Sequence, residues 1–340
     1  MSCVLRPATL DDLGALYELA KLTGGGFTNL PPNRDTLTAK LTRSTEALAR
    51  ETDEHRDDLF VFVLENRETG LVRGTCQVFT MVGQNWPFYS YRIGTLTQYS
   101  KELSRTFRAD MLTLSTDLEG ASEVGGLFLH PRERAGGLGM LLARSRYLFI
   151  KAHRNRFSDR TLAELRGVID EAGGSPFWDG LAGKFFGMSF QEADEFNAVN
   201  GNQFIADLMP KHPIYTAMLP ESARAVIGTP HPSGRAAMRM LETEGFAHDK
   251  YIDIFDGGPT MVAHTDRIRS ITDAVEARVV LVGAIEGERR LVTTGRLASW
   301  RAAYARVELM EGGEEVMIDA AGADLLGVKA GDTVMHVGRG

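Results

Sequence analysis

The stretch that most constrains this 340-residue chain is Glu123–Ala152, EVGGLFLHPRERAGGLGMLLARSRYLFIKA. Glu123–Leu129 reads as a buried strand. Leu138, Leu141, Leu142, Ser145, Leu148, Phe149 and Ala152 then trace one helical stripe. Between them Arg134-Ala135-Gly136-Gly137-Leu138-Gly139 has the spacing R-x-x-G-x-G. A pyrophosphate approaches a main chain only where no Cβ intervenes, and the N–H groups of the next helix then bind it. Arg134 is placed to add a charge-assisted contact. No Gly-Lys-Ser/Thr follows, so this is not a phosphate loop of the Walker type. Leu142 stands where a dinucleotide loop needs its last glycine. On the loop alone, a glycine turn without a ligand also remains open.

Upstream, Val4–Pro7 is a strand candidate, and Thr9 with Asp12 has capping-box character before a helix carrying Leu13, Leu16, Tyr17 and Ala20. Thr36 to about Glu51 reads as a second helix. Leu59–Glu65 and Leu71–Val82 form a hairpin around the turn Asn66–Gly70, and a polar connection leads to Glu123. Downstream we expect a strand at Leu165–Ile169, a short aromatic helix at Pro176–Phe186 and an extended piece from Ser189-Phe190. Ala236, Ala237, Met240, Leu241 and Glu244 share a helical face, Gly245 ends it, and Phe246 opens a strand toward Ile254. This repeats the helix–glycine–strand pattern and suggests a duplicated half. From about Arg267, short Val-rich strands with glycine turns predict a small β-rich lobe.

Composition excludes several classes. Hydrophobic residues make up 43 % and charged residues 24 %, as in ordinary globular domains. A net charge of -7 without a basic block argues against nucleic acid as partner. No apolar run approaches a membrane span and the N-terminus lacks a signal-peptide core, so we expect a cytoplasmic protein without membrane contact. Cys3 and Cys76 read as buried reduced thiols. No two histidines have metal-ligand spacing, so no metal is expected.

The β-α-β-β order ahead of the glycine loop resembles acyl-CoA N-acyltransferases of the GNAT fold. Longer pieces narrow the resemblance: TGGGFTNLP from Thr23, YSYRIGTL from Tyr89, LRGVIDEAGGSPFWDGL from Leu165, MPKHPIY from Met209, VIGTPHPSGRAAMRMLETEGF from Val226 and YIDIFDGGPT from Tyr251. Together they are similar to arginine N-succinyltransferases over roughly residues 1–265, with only AGDTV matching clearly beyond. The implied fold is α+β: a GNAT-like mixed sheet flanked by helices, a second GNAT-like half and a small β-rich C-terminal lobe. The implied domains are 1–195, 196–265 and 266–340.

The resemblance implies transfer of a succinyl group from succinyl-CoA, a co-substrate and not a tightly bound cofactor, to the α-amine of L-arginine. This is the first step of arginine breakdown by the succinyltransferase route. It also implies an oligomer, of one subunit type or with a related subunit. Leu127, Phe128 and Leu129 would present backbone groups to the pantetheine arm, with the Leu127 N–H polarising the thioester carbonyl. Gly136, Gly137, Gly139 and Arg134 would take the pyrophosphate. His231, flanked by Pro230 and Pro232, matches the position assigned as proton donor; His212 is its rival and His130 a weaker one.

For substrate we single out Arg92 for the succinyl carboxylate, with Tyr89 and Tyr91 beside it, and Asp170 and Glu171, with Asp179, for the guanidinium. Gly24–Gly26 with Thr28 and Asn29 reads as a lid. Another acyl-CoA, ornithine as acceptor, or a non-catalytic acyl-CoA-binding subunit are the alternatives.

Overall fold

A computed structural model describes residues 2–23, 29–134, 136–201 and 203–339. The chain runs β1 (Cys3–Pro7), α1 (Leu13–Lys21), α2 (Arg34–Ala49), β2 (Leu59–Asn66) and β3 (Leu71–Phe79). Next come β4 (Ser90–Ser100), β5 (Arg105–Ser115), β6 (Ser122–Leu129), α3 (Leu138–Ala152) and β7 (Arg160–Glu164). A helical stretch holds α4 (Pro176–Gly180), α5 (Gly183–Phe186), α6 (Phe190–Asn200), α7 (Gln203–Leu208), β8 (Ile214–Tyr215), α8 (Glu221–Val226) and α9 (Arg235–Thr243). β9 (Ala247–Asp253), β10 (Pro259–His264) and α10 (Arg269–Asp273) follow. The chain closes with β11 (Val275–Gly283), β12 (Glu288–Thr294), β13 (Arg301–Leu309), β14 (Glu315–Asp319), α11 (Ala320–Leu326) and β15 (Thr333–Gly338).

These elements form two compact units: one through Thr80 with Ser122–Asp159 and Thr265 onward, the other Met81–Ala121 with Arg160–His264. In the first, β1, β2, β3 and β6 are consecutive antiparallel neighbours. β2, LFVFVLEN, is apolar on both faces because both are covered. Val61 and Val63 pack with Leu16, Leu19, Leu37 and Leu41 of α1 and α2. Phe60 and Phe62 lie 4.8 and 4.9 Å from Phe149 of α3.

The C-terminal lobe closes on itself. β12 pairs with β15, β15 with β11, β11 with β14, β14 with β13 and β13 with β12, a five-stranded barrel. Its interior holds Val279, Val292, Ala303, Ala305, Val307, Val316, Ile318 and Val334, with Ala323 and Leu326 of α11 packed in the same cluster. The small alanines suit so narrow a barrel.

The second unit is an antiparallel run β7-β10-β9-β4-β5-β8. Its core gathers Tyr91, Phe177, Trp178, Phe190, Ile205, Ile252 and Phe255.

Three local expectations are corrected. The connection before Glu123 is no polar loop: β4 and β5 pair over eleven residues each. Their mostly polar, exposed positions hid the alternation. Ser189 starts a helix, not a strand. Its hydroxyl accepts the Glu192 N–H at 3.3 Å, while the Glu192 carboxylate accepts the Ser189 N–H at 2.8 Å. The strand expected at Leu165–Ile169 lies at Arg160–Glu164. The Leu165 N–H still reaches the Pro259 carbonyl at 3.1 Å, but the partner chain turns at Asp256–Gly258 and the ladder stops. Gly167 keeps only an isolated bridge to Pro230.

Candidate active site

In the first unit, Gln77 of β3 faces Gly125 and Thr75 faces Phe128, so Gly126 and Leu127 together oppose Cys76. This is a β-bulge, which leaves backbone groups outside the ladder. Gly126 makes it possible with φ +57°; a Cβ there would stand 2.8 Å from the Gln77 side chain. Leu127 is half-buried, whereas Phe128 and Leu129 are buried. Cys76 is buried too, and burial pushes its thiol up to about 12, so it is an inert packing group.

A polar cluster braces the bulge. Buried Glu123 accepts the Asn29 amide at 3.0 Å, the Lys40 ammonium donates to the Asn29 carbonyl at 2.8 Å, and Gln77 Nε2 donates to that carbonyl at 2.8 Å. Burial pushes the Glu123 carboxyl above its ordinary value and the Lys40 ammonium down to about 8. Sequence reasoning missed this cluster; a Lys and a Glu at positions that otherwise read as core were the signal. Gly24–Gly26 and Thr28, read as a lid, lie outside the described residues.

β6 passes through the glycine loop into α3. Gly136 and Gly137 have φ +78° and +85°, and the Gly137 carbonyl accepts the Leu141 N–H at 3.1 Å. Gly139 lies in the first turn of α3, where a Cβ would meet nothing within 4 Å. Arg134 is exposed and Ala135 lies outside the described residues. The loop therefore offers a left-handed glycine pair capping the positive end of a 15-residue helix.

His231 belongs to the second unit and is half-buried. Ser233 donates both its N–H, at 3.2 Å, and its hydroxyl, at 2.7 Å, to Nδ1. A backbone N–H only donates, so this geometry assigns the neutral ring its proton on Nε2. Burial, then the Arg166 charge, hold the ring below the ordinary imidazole range. The His231 N–H donates to the Arg166 carbonyl at 2.8 Å.

Beneath that anchor sits a carboxylate the sequence reading passed over. Buried Asp256 accepts the Gly167 N–H at 2.7 Å and the Gly258 N–H at 2.8 Å. Asp253 accepts the Phe255 and Asp256 N–H groups at 2.7 and 2.8 Å. Burial and the neighbouring Asp253 push Asp256 up to about 7. Its sequence signal was an acidic residue directly before Gly257-Gly258 in an otherwise apolar segment.

The remaining candidates fall elsewhere. Arg92 is exposed, pairs with Asp117 at 3.4 Å and lines a cavity of about 790 Å³ in the second unit, with Thr113, Ser115, Asp117, Asp249 and Lys250. Tyr91 is not at that opening but buried against Phe177, at a ring distance of 6.3 Å. Asp170 accepts the Ala172 and Gly174 N–H groups at 2.9 and 2.8 Å, building its own turn. Glu171, Asp179 and His212 are exposed. His130 caps the turn after β6, its Nδ1 accepting the Arg132 N–H at 3.2 Å.

A bulged strand, a left-handed glycine loop and a capped helix, on a mixed sheet flanked by helices, define an N-acyltransferase of the GNAT type with a β-rich C-terminal lobe. The chain belongs to the arginine N-succinyltransferase family. The family described as arginine N-succinyltransferase beta subunit matches residues 3–270, and that of its C-terminal domain matches 275–338. The likeness thus continues well past residue 265, through the barrel where the sequence alone offered little. Arginine N-succinyltransferase of Escherichia coli O139:H28 is 43 % identical over 336 residues, covering 98 % of this chain and 97 % of that protein. The Salmonella paratyphi B protein of the same name is 44 % identical over the same shares. Arginine/ornithine succinyltransferase subunit AI from Pseudomonas aeruginosa superposes with a TM-score of 0.91 at 33 % identity, covering 100 % of this chain and 99 % of that one.

Proposed function

We propose that this protein transfers the succinyl group of succinyl-CoA to the α-amine of L-arginine, giving N2-succinyl-L-arginine and CoA. The observation that carries the reading is full-length kinship with arginine N-succinyltransferases, in sequence and in fold. The amine lone pair attacks the thioester carbon, charge builds on the carbonyl oxygen, and the carbon–sulfur bond breaks as the nitrogen loses its proton. For the developing oxyanion we propose the Leu127 N–H, freed by the bulge at Gly126. For the leaving sulfur we propose a hydrogen bond from the neutral Nε2–H of His231, whose tautomer Ser233 holds; the ring keeps its proton, and the proton released by the nitrogen passes through solvent to the CoA thiolate. Gly136, Gly137, Gly139 and Arg134 take the CoA phosphates. Arg92, beside an open polar cavity, is our candidate for the succinyl carboxylate; Asp170 and Glu171 are weaker candidates for the guanidinium. An oligomer, of this chain or with a related subunit, belongs to the same reading.

The test is release of CoA thiol from succinyl-CoA with arginine, ornithine, lysine or no amine, against acetyl-CoA controls. Release that needs both arginine and succinyl-CoA is expected. Equal release with acetyl-CoA, or a preference for ornithine, would overturn the assignment of substrates.

A further inference from the structure

Just past β7, Arg166 enters the stretch whose Gly167 makes an antiparallel bridge to Pro230. That register sets Arg166 opposite His231, and the Arg166 carbonyl accepts the His231 N–H at 2.8 Å. Residues opposite one another in an antiparallel pair project from one face, so the guanidinium and the imidazole are neighbours. Their proximity shows in the imidazole, which burial and then the Arg166 charge hold below its ordinary range.

Among the described residues the Arg166 guanidinium has no ion pair and no hydrogen bond. Its Nε is buried without an acceptor, while the half-buried side chain leaves its terminal nitrogens to solvent. Asp256 feels the Arg166 charge, yet its two oxygens take the Gly167 and Gly258 N–H groups, at 2.7 and 2.8 Å. A cation with a buried, unsatisfied N–H costs stability. No hydrogen bond or ion pair within the chain offsets that cost, which points to an anion brought by a ligand.

The reaction proposed above brings two carboxylates, one at the far end of the succinyl group and one on the α-carbon of the acceptor. Only the second bears on the nucleophile. An α-carboxylate holds its neighbouring amine in the ammonium form, and a guanidinium that pairs with it cancels that field and favours the neutral amine. With His231 at the departing sulfur, the nitrogen attacking the same thioester carbon lies near that ring, and its α-carboxylate with it. The planar guanidinium matches a carboxylate in shape as well as charge.

We propose that Arg166 binds the α-carboxylate of the acceptor amino acid, beside the His231 turn. This rests on the acyl-transfer reading above and adds the residue that tells an amino acid from a simple amine.

Release of CoA thiol from succinyl-CoA tests it, with L-arginine and with L-argininamide, which keeps the α-amine and the guanidinium but has no carboxylate. The amide is followed both as substrate and as competitor of arginine, in wild type, Arg166→Met and Arg166→Lys. Losing one charge-assisted contact weakens an interaction about ten- to a hundredfold. Arg166→Met is expected to lower kcat/KM for arginine by about that factor and to leave argininamide nearly unchanged. Arg166→Lys, which keeps the charge, should lose less. A purely structural arginine would lower both amines alike, because the carbonyl that holds His231 is main chain in every variant. An equal loss for arginine and argininamide in both variants, or no loss for arginine in Arg166→Met, overturns the assignment. A variant that still prefers arginine but no longer prefers succinyl-CoA over acetyl-CoA gives Arg166 to the donor carboxylate, and likewise overturns it. Thiol release that no amine stimulates in wild type overturns the acyl-transfer reading itself.

Discussion

Replacing Asp256 tests the scaffold behind His231. Its two carboxylate oxygens satisfy the buried N–H groups of Gly167 and Gly258, at 2.7 and 2.8 Å. Each donor left without an acceptor costs about 1–3 kcal/mol, so Asp256→Ala should destabilise by about 2–6 kcal/mol and Asp256→Asn by about half as much, because one amide oxygen remains. Gly167 also bridges Pro230, and the Arg166 carbonyl beside it accepts the His231 N–H at 2.8 Å. Turnover should therefore fall with stability, kcat more than the KM for either substrate.

The pH dependence gives a second reading. Burial and Asp253 raise Asp256 from 3.8 to about 7, so between those values the native state holds a proton that the unfolded chain has released. Its contribution to stability is lost as pH rises through that window. The Asn variant cannot ionise, so its penalty relative to wild type should shrink from pH 5 to pH 8. Urea midpoints at constant m-value measure both effects. A loss below about 0.5 kcal/mol for Asp256→Ala, the scale of an ordinary surface change, or a penalty for Asn that grows with pH, would refute the argument.

Three further outcomes are expected. Arg166→Gln removes a charge that depresses His231 while keeping the backbone carbonyl, so the ring should titrate at higher pH by NMR; an unmoved titration would leave burial as the sole cause. Gly126→Ala forces a side chain into a left-handed backbone, at about 1–2 kcal/mol, and against Gln77. It should lower kcat about tenfold, a fraction of what losing one oxyanion donor costs, and stability loss without a rate effect would sink the oxyanion assignment. Fully buried His336, held down to about 4 by burial and then Arg290, stays neutral in the fold. The unfolded chain binds that proton first, so stability should fall as pH drops from about 6.5 toward 4, by about 3 kcal/mol in all. Hydrogen exchange of the β12 and β15 amides checks this, and His336→Gln should flatten the slope.

What the chain announced locally is what depends on neighbours a few residues away. The helix of α3 follows from its stripe of Leu138, Leu141, Leu142, Leu148 and Phe149, and its start from Gly136 and Gly137, whose positive φ few other residues adopt. The pair flanking His231, Pro230 and Pro232, likewise marks a fixed turn in the sequence, and the hydrogen bonds from Ser233 two residues on keep it local. The α6 capping box, Ser189 to Glu192, was equally available and was overlooked.

The rest depended on pairing over long separations, which no local period encodes. β4 reads as polar because much of it is exposed, and it becomes a strand by pairing with β5 and with β9, whose Ile252 and Asp253 lie some 160 residues on. Asp256 gained its meaning only when the chain returned Gly167 to within hydrogen-bond reach. Arg289 and Arg306 became opposed charges only through the barrel's register, where a shift of one residue would have sent them to opposite faces. Sequence by itself thus determined the glycine loop, its helix and the family; tertiary structure decided which buried charges lie around the strand bulge and the His231 turn, because burial and register are properties of the assembled sheet.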